Sequence, residues 1–125
     1  MKKIISTENA PKAIGPYSQA VETNGMLFVS GQIPIDPKTG NLIDGDISKQ
    51  TELVLTNIGN ILKTAGYDYE NVVKTTCLLA DIKDFAAMNA VYATFFKVNP
   101  PARAAFAVKD LPAGAKLEIE VIATK

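Results

Sequence analysis

The chain has 125 residues, balances 13 lysines and arginines against 13 aspartates and glutamates, and contains one cysteine and no histidine. That length fits one domain able to bury about two-thirds of the surface of its unfolded chain, with no need of a disulfide or structural metal. The composition excludes histidine-based nucleophilic machinery and a zinc cluster, and the even charge leaves no electrostatic footprint for nucleic acid or an anionic membrane.

The segment Met1 to Glu8 turns polar before a signal-peptide core forms, and no later apolar run approaches the roughly 20 residues of a membrane span. A cytoplasmic, unexported protein is expected. Cys77 lies among apolar and β-branched neighbours and reads as a buried structural thiol.

A short strand is expected at residues 2 to 5, followed by a fixed loop from Ala10 to Tyr17, where two prolines and Gly15 oppose regular structure. Residues 18 to 23 and 26 to 32 flank Asn24-Gly25, the dipeptide that most readily takes the positive φ angles of a type I′ turn, and form a β-hairpin. An irregular stretch with Pro34, Pro37 and Gly40 runs to Asp46, a suitable N-cap. From Ile47 to Ala65, Val54, Ile58, Ile61, Leu62 and Ala65 recur on one face of a helix that Gly66 stops.

Residues 71 to 80 are rich in valine and threonine and read as a strand. Asp84 then caps a second helix with Phe85, Met88, Tyr92, Phe95 and Phe96 on one side, an aromatic stripe that reads as core. Asn99-Pro100-Pro101 ends that helix and launches a strand carrying Arg103. In the last strand Leu117, Ile119 and Val121 alternate with Glu118 and Glu120. The order is α+β in a single domain over residues 1 to 125: a mixed sheet with two helices packed on one face. The other sheet face has no element left to cover it, so another copy of the chain is the expected cover.

Arg103 shares its strand face with Ala105 and Ala107, which are too small to hide it. Its guanidinium needs a carboxylate, either a ligand's or that of Glu118 or Glu120 across the sheet. Tyr17 can pack in its loop or line a site, and Ser30 can satisfy a backbone group at the strand end or meet a ligand. Gly31 serves equally as a turn glycine or as a point of close ligand approach. Asn89, a poor helix former, implies a specific hydrogen bond, and Glu120 reads first as an ion-pair partner.

Gly15-Pro16-Tyr17-Ser18-Gln19-Ala20, Ser30-Gly31-Gln32-Ile33-Pro34, Phe85-Ala86-Ala87-Met88-Asn89, and Pro101-Ala102-Arg103 followed by Leu117-Glu118-Ile119-Glu120 together resemble the motifs of the RidA/YjgF reactive intermediate deaminases, in order and spacing. The resemblance implies a chorismate-mutase-like fold and a homotrimer with clefts between subunits. It implies hydrolysis of 2-imino acids such as 2-iminobutanoate and 2-iminopropanoate to 2-oxo acids and ammonia, without a cofactor or metal, which protects pyridoxal-phosphate enzymes. By the same resemblance Arg103 grips the substrate carboxylate, Glu118 holds the attacking water, and Tyr17, Ser30 and Asn89 line the cleft; Gly31, beside Ser30, joins the substrate-binding candidates on its own chemistry. Ala105 departs from the pattern, since many relatives carry cysteine there. Two other readings stand beside the deaminase: a 2-oxo acid sensor without turnover, and an interaction protein of the translation-inhibiting or ribonuclease type.

Overall fold

The computed structural model describes all residues from Met1 to Lys125. Six strands form one sheet: β1 (Lys3–Ile5), β2 (Ala20–Thr23), β3 (Met26–Gln32), β4 (Val72–Leu79), β5 (Ala102–Ala107) and β6 (Leu117–Thr124). Their spatial order is β1-β2-β3-β6-β4-β5. Only the β4–β5 pair is parallel, and the crossover between those two strands contains the second helix. The last strand therefore inserts into the middle of the sheet, which gives Glu118 and Glu120 a central rather than a peripheral address.

Two helices, α1 (Ile47–Thr64) and α2 (Phe85–Phe95), cover one sheet face. Val54, Leu55, Ile58, Ile61 and Leu62 of α1 are fully buried and pack toward β3 and β6. Asp46 Oδ1 accepts from the Lys49 backbone N–H at 3.0 Å, and Gly66 leaves the helix at φ 85° as a left-handed stop. The other inward residues come from the alternate positions Leu117, Ile119, Val121 and Ala123 of β6, joined by Cys77 and Leu79 of β4. Truncating any of the large ones to alanine is expected to cost about 2 to 5 kcal/mol.

Asn24 and Gly25 both take positive φ, 50° and 74°, as the hairpin turn requires. Three details differ from the pattern in the sequence. Asp84 occupies the N-cap position of α2 but makes no side-chain capping bond. The capping aspartate is Asp81, whose Oδ1 accepts from the Lys83 N–H at 2.9 Å and starts a one-turn 3₁₀ helix, Ile82–Asp84, ahead of α2. Two further 3₁₀ turns, Tyr69–Asn71 and Pro112–Gly114, are too short to leave a periodic signal.

The face away from the helices is open. Ile4, Val21, Phe28 and Ile122 stand opposite one another across four adjacent strands, an apolar row with Ile4 and Phe28 exposed. Phe106 is exposed on the same face, in line with Leu78 and Glu118. No helix is long and apolar enough to cross a membrane.

Candidate active site

The named residues fall into two groups on opposite faces of the sheet. Arg103 is opposite Thr75 in the parallel β4–β5 register, and Thr75 bonds to α2, so both side chains lie on the helix side at the β5 edge. Glu118 is opposite Leu78 on the open face, out of phase with the buried Leu117 and Ile119. The cross-sheet pairing of Arg103 with Glu118 or Glu120 is therefore ruled out. Alternation places both acids on the face that Arg103 does not share.

The α2 helix builds the Arg103 group. Phe85, Asn89 and Tyr92 recur at intervals of four and three residues, which brings them onto one side of the helix. Arg103 Nη1 donates to Asn89 Oδ1 at 2.7 Å. Its guanidinium carbon lies 4.8 Å from the Tyr92 ring centroid and 5.5 Å from that of Phe85, within cation–π range. The side chain is exposed, so its outward N–H donors face solvent from a fixed base. Asn89 spends its carbonyl oxygen on orienting the arginine. Phe85 and Tyr92, which the aromatic stripe assigns to the core, form part of this cradle as well.

The second group surrounds a groove of about 550 Å³ on the open face. Tyr17, Ser30, Gly31, Glu118 and Glu120 line it, together with Lys12. Its floor is a β-bulge: Val29 pairs with Val121 and Gln32 with Ile119, so Ser30 and Gly31 together oppose Glu120. Gly31 is there for space. A Cβ on it would collide with Glu118 Oε2 and come within 2.8 Å of Glu118 Cδ. The missing methyl thus makes room for the Glu118 carboxylate, a use beside the turn glycine and the close ligand approach that the sequence left open.

Ser30 Oγ donates to the Ser18 carbonyl at 2.6 Å, and its backbone N–H donates to the Gln19 carbonyl at 3.0 Å. The hydroxyl proton is occupied, and the oxygen's lone pairs are left to accept from an N–H. Gln19, which lies inside the Gly15–Ala20 motif but was assigned no role there, clamps the loop that forms one wall. Its Oε1 accepts from the Thr7 N–H at 2.7 Å, and its Nε2 donates to the Thr7 carbonyl at 3.0 Å and the Pro11 carbonyl at 2.8 Å. Tyr17 is half-exposed over Gly15 at the end of that loop.

The electrostatics of the two groups differ. Burial pushes the Glu118 carboxyl above its ordinary 4.5, and the neighbouring charge of Glu120 pushes it the same way. Glu120 acts here as a like charge beside Glu118. On the helix side, burial raises the Cys77 thiol to about 11, and the Arg103 charge and the nearby Thr75 hydroxyl offset this only in part. A thiol so protonated is no nucleophile at neutral pH. No cluster of three or more metal-ligating side chains exists.

Residues 7–125 match the sequence profile of the family described as Endoribonuclease L-PSP. The chain belongs to this family, that of the RidA/YjgF proteins. It is 50% identical to the 2-iminobutanoate/2-iminopropanoate deaminase of Mus musculus over 125 residues, covering 100% of this chain and 93% of the mouse protein. It is 55% identical to the RutC family protein PH0854 of Pyrococcus horikoshii, covering 100% and 99% of the two chains. Among solved structures, the Yersinia pestis protein YyfA of the conserved Rid family superposes with a TM-score of 0.98 at 50% identity, covering 100% of both chains. E. coli TdcF, whose crystal structure contains bound serine, superposes with a TM-score of 0.94 at 44% identity, covering 98% of each chain. The six-stranded mixed sheet with two helices on one face is thus the Rid fold, and the site residues lie within the matched span.

Proposed function

We propose that this Rid protein hydrolyses 2-imino acids such as 2-iminobutanoate and 2-iminopropanoate to the 2-oxo acid and ammonia, in a site completed by a second copy of the chain. The observation that carries the reading is Arg103, a guanidinium immobilised by α2 with no carboxylate of its own chain to bind. A fork held in one plane binds a substrate carboxylate through two parallel hydrogen bonds and so aims the adjacent imine carbon. Lysine would keep the charge and lose the plane. Relatives at about 50% identity named as deaminases of these two imines support the substrate class.

Water adds to the imine carbon while Glu118 accepts a proton from it, and the nitrogen takes up a proton. The resulting carbinolamine passes its hydroxyl proton toward nitrogen and expels ammonia as its oxygen forms the new carbonyl, so the C=N bond is exchanged for C=O and one water is consumed. A carboxyl whose affinity for its proton is raised by burial accepts and returns a proton more evenly than an exposed one. The Ser30 oxygen is available to accept from the imine or leaving-amine N–H. Imines hydrolyse spontaneously in water, so positioning and one proton relay are enough.

Arg103 and Glu118 lie on opposite faces of one chain, and the exposed apolar row beside the groove supports assembly of copies as a homotrimer. The protein works in the cytoplasm and protects pyridoxal-phosphate enzymes from imine and enamine attack; its partners are small molecules and its own copies. The test pairs a semicarbazide trap with subunit mixing. Threonine dehydratase generates 2-iminobutanoate, and suppression of the trapped product reports turnover. Arg103→Ala and Glu118→Ala are each expected to be inactive alone. Refolded together in equal amounts they should regain activity in about one site in four, because neighbouring copies complement each other. An Arg103→Ala protein as active as the wild type would end the proposal, and two inactive variants that fail to complement would place the site within one chain.

A further inference from the structure

Tyr92 and Thr75 share a hydrogen bond of 2.8 Å between their hydroxyls, and both residues are buried, Thr75 completely. Phenylalanine and valine would fill nearly the same volume at a core position without two polar groups to satisfy. The location of the pair suggests why it is polar. Thr75 is the register partner of Arg103 on the adjacent strand, so the tether from α2 ends on the sheet row that carries the guanidinium. Tyr92 in turn presents its ring to that guanidinium at 4.8 Å, and the same ring meets Phe96 at 4.7 Å between centroids.

We infer that the Thr75–Tyr92 pair is a positioning device for Arg103: the hydroxyl contact sets the distance between α2 and the β4–β5 edge and so holds the aromatic and amide surfaces against which the guanidinium is oriented. Neither residue touches substrate. Phe85 and Asn89 ride on the same helix face, so a shift of α2 moves all three contacts of Arg103 together. Without the tether the ring remains but its far end is free, and the arginine regains rotamers that must be given up again when the anion binds. The inference rests on the imine-hydrolysis reading for its kinetic arm, and its spectroscopic arm does not depend on that reading.

The experiment uses the full chain as Thr75→Val, Tyr92→Phe and the double variant. Each single change strands one buried hydroxyl and should lower the melting temperature, whereas the double change removes both partners and should return it toward wild type. The KM for 2-iminobutanoate should nevertheless stay raised about three- to tenfold in the double variant, with kcat within about twofold, because the clamp acts on ground state and transition state alike. In ¹⁵N spectra the Arg103 side-chain N–H signals should be resolved in the wild type and averaged in the double variant. A double variant with wild-type KM and an unchanged Arg103 spectrum would reduce the pair to core packing. Should Arg103→Ala itself turn over imine normally, the functional reading fails, and the Arg103 spectrum alone then decides the positioning role.

Discussion

Arg103 stands at the sheet edge on the helix side, oriented by two aromatic rings and an amide, while Glu118 stands on the central strand of the open face, in space left by the missing side chain of Gly31. The first is a charge kept in contact with water and fixed by surfaces around it. The second is a charge partly withdrawn from water, so its protonation rather than its orientation is what the surroundings adjust. Binding an anion requires an arginine that is always charged and already aimed. Moving a proton requires a group whose two states lie close in free energy, and partial burial brings a carboxyl toward that condition.

The largest expected effects come from removing either charge. Arg103→Ala or Glu118→Gln should lower kcat/KM by about 100- to 10,000-fold, measured by suppression of the semicarbazide product. Their signatures should differ: Arg103→Lys should chiefly raise KM, whereas Glu118→Gln should chiefly lower kcat.

Next comes Gly31→Ala. The added methyl displaces the Glu118 carboxylate, so activity should fall about 10- to 100-fold, while stability should change by less than about 0.5 kcal/mol on denaturant unfolding, because the atoms met are the end of a side chain able to turn into the groove. If the variant keeps full activity, the bulge does not set the position of Glu118. Cys77→Ala tests the other region. It should cost about 1 to 2 kcal/mol through loss of buried volume and leave KM unchanged, and the wild-type thiol should resist iodoacetamide until the protein unfolds.

The pH effects are smaller and have a defined sign. The folded Glu118 carboxyl holds its proton more tightly than the unfolded one, so ionising it costs stability as pH rises through its folded value, while below 4.5 both states are protonated and the cost disappears. Glu118→Gln should therefore melt slightly higher than wild type near pH 7.5, by less than about 1 kcal/mol because the group is only half buried and screened. The difference should vanish toward pH 4. In the wild type, loss of activity on acidification should set in at a higher pH than an exposed glutamate would give, and Glu120→Gln should move that limb to lower pH.

Much of the architecture is legible in residue order because short-range chemistry decides it. Asn24-Gly25 makes the hairpin, Asp46 and Gly66 bound α1, and the alternation of β6 separates Leu117, Ile119 and Val121 from the two glutamates. Asn89 stands out as an asparagine inside a helix, and the structure gives it a specific partner in Arg103. Ser30-Gly31 is recognisable as a motif. Its bulge is not, since a two-for-one pairing depends on the opposing strand and leaves no mark in local alternation. Tyr92 passes for core because burial and contact with the Arg103 guanidinium demand the same aromatic residue.

By itself the sequence determined the six strands and two helices, the two-sidedness of each strand, the family, and that Arg103 has face neighbours too small to cover it. Only the tertiary structure decided that Arg103 and Glu118 lie on opposite faces of the sheet. The period of two orders side chains within a strand and says nothing about the phase between strands, which is set when β6 inserts between β3 and β4 and its register locks.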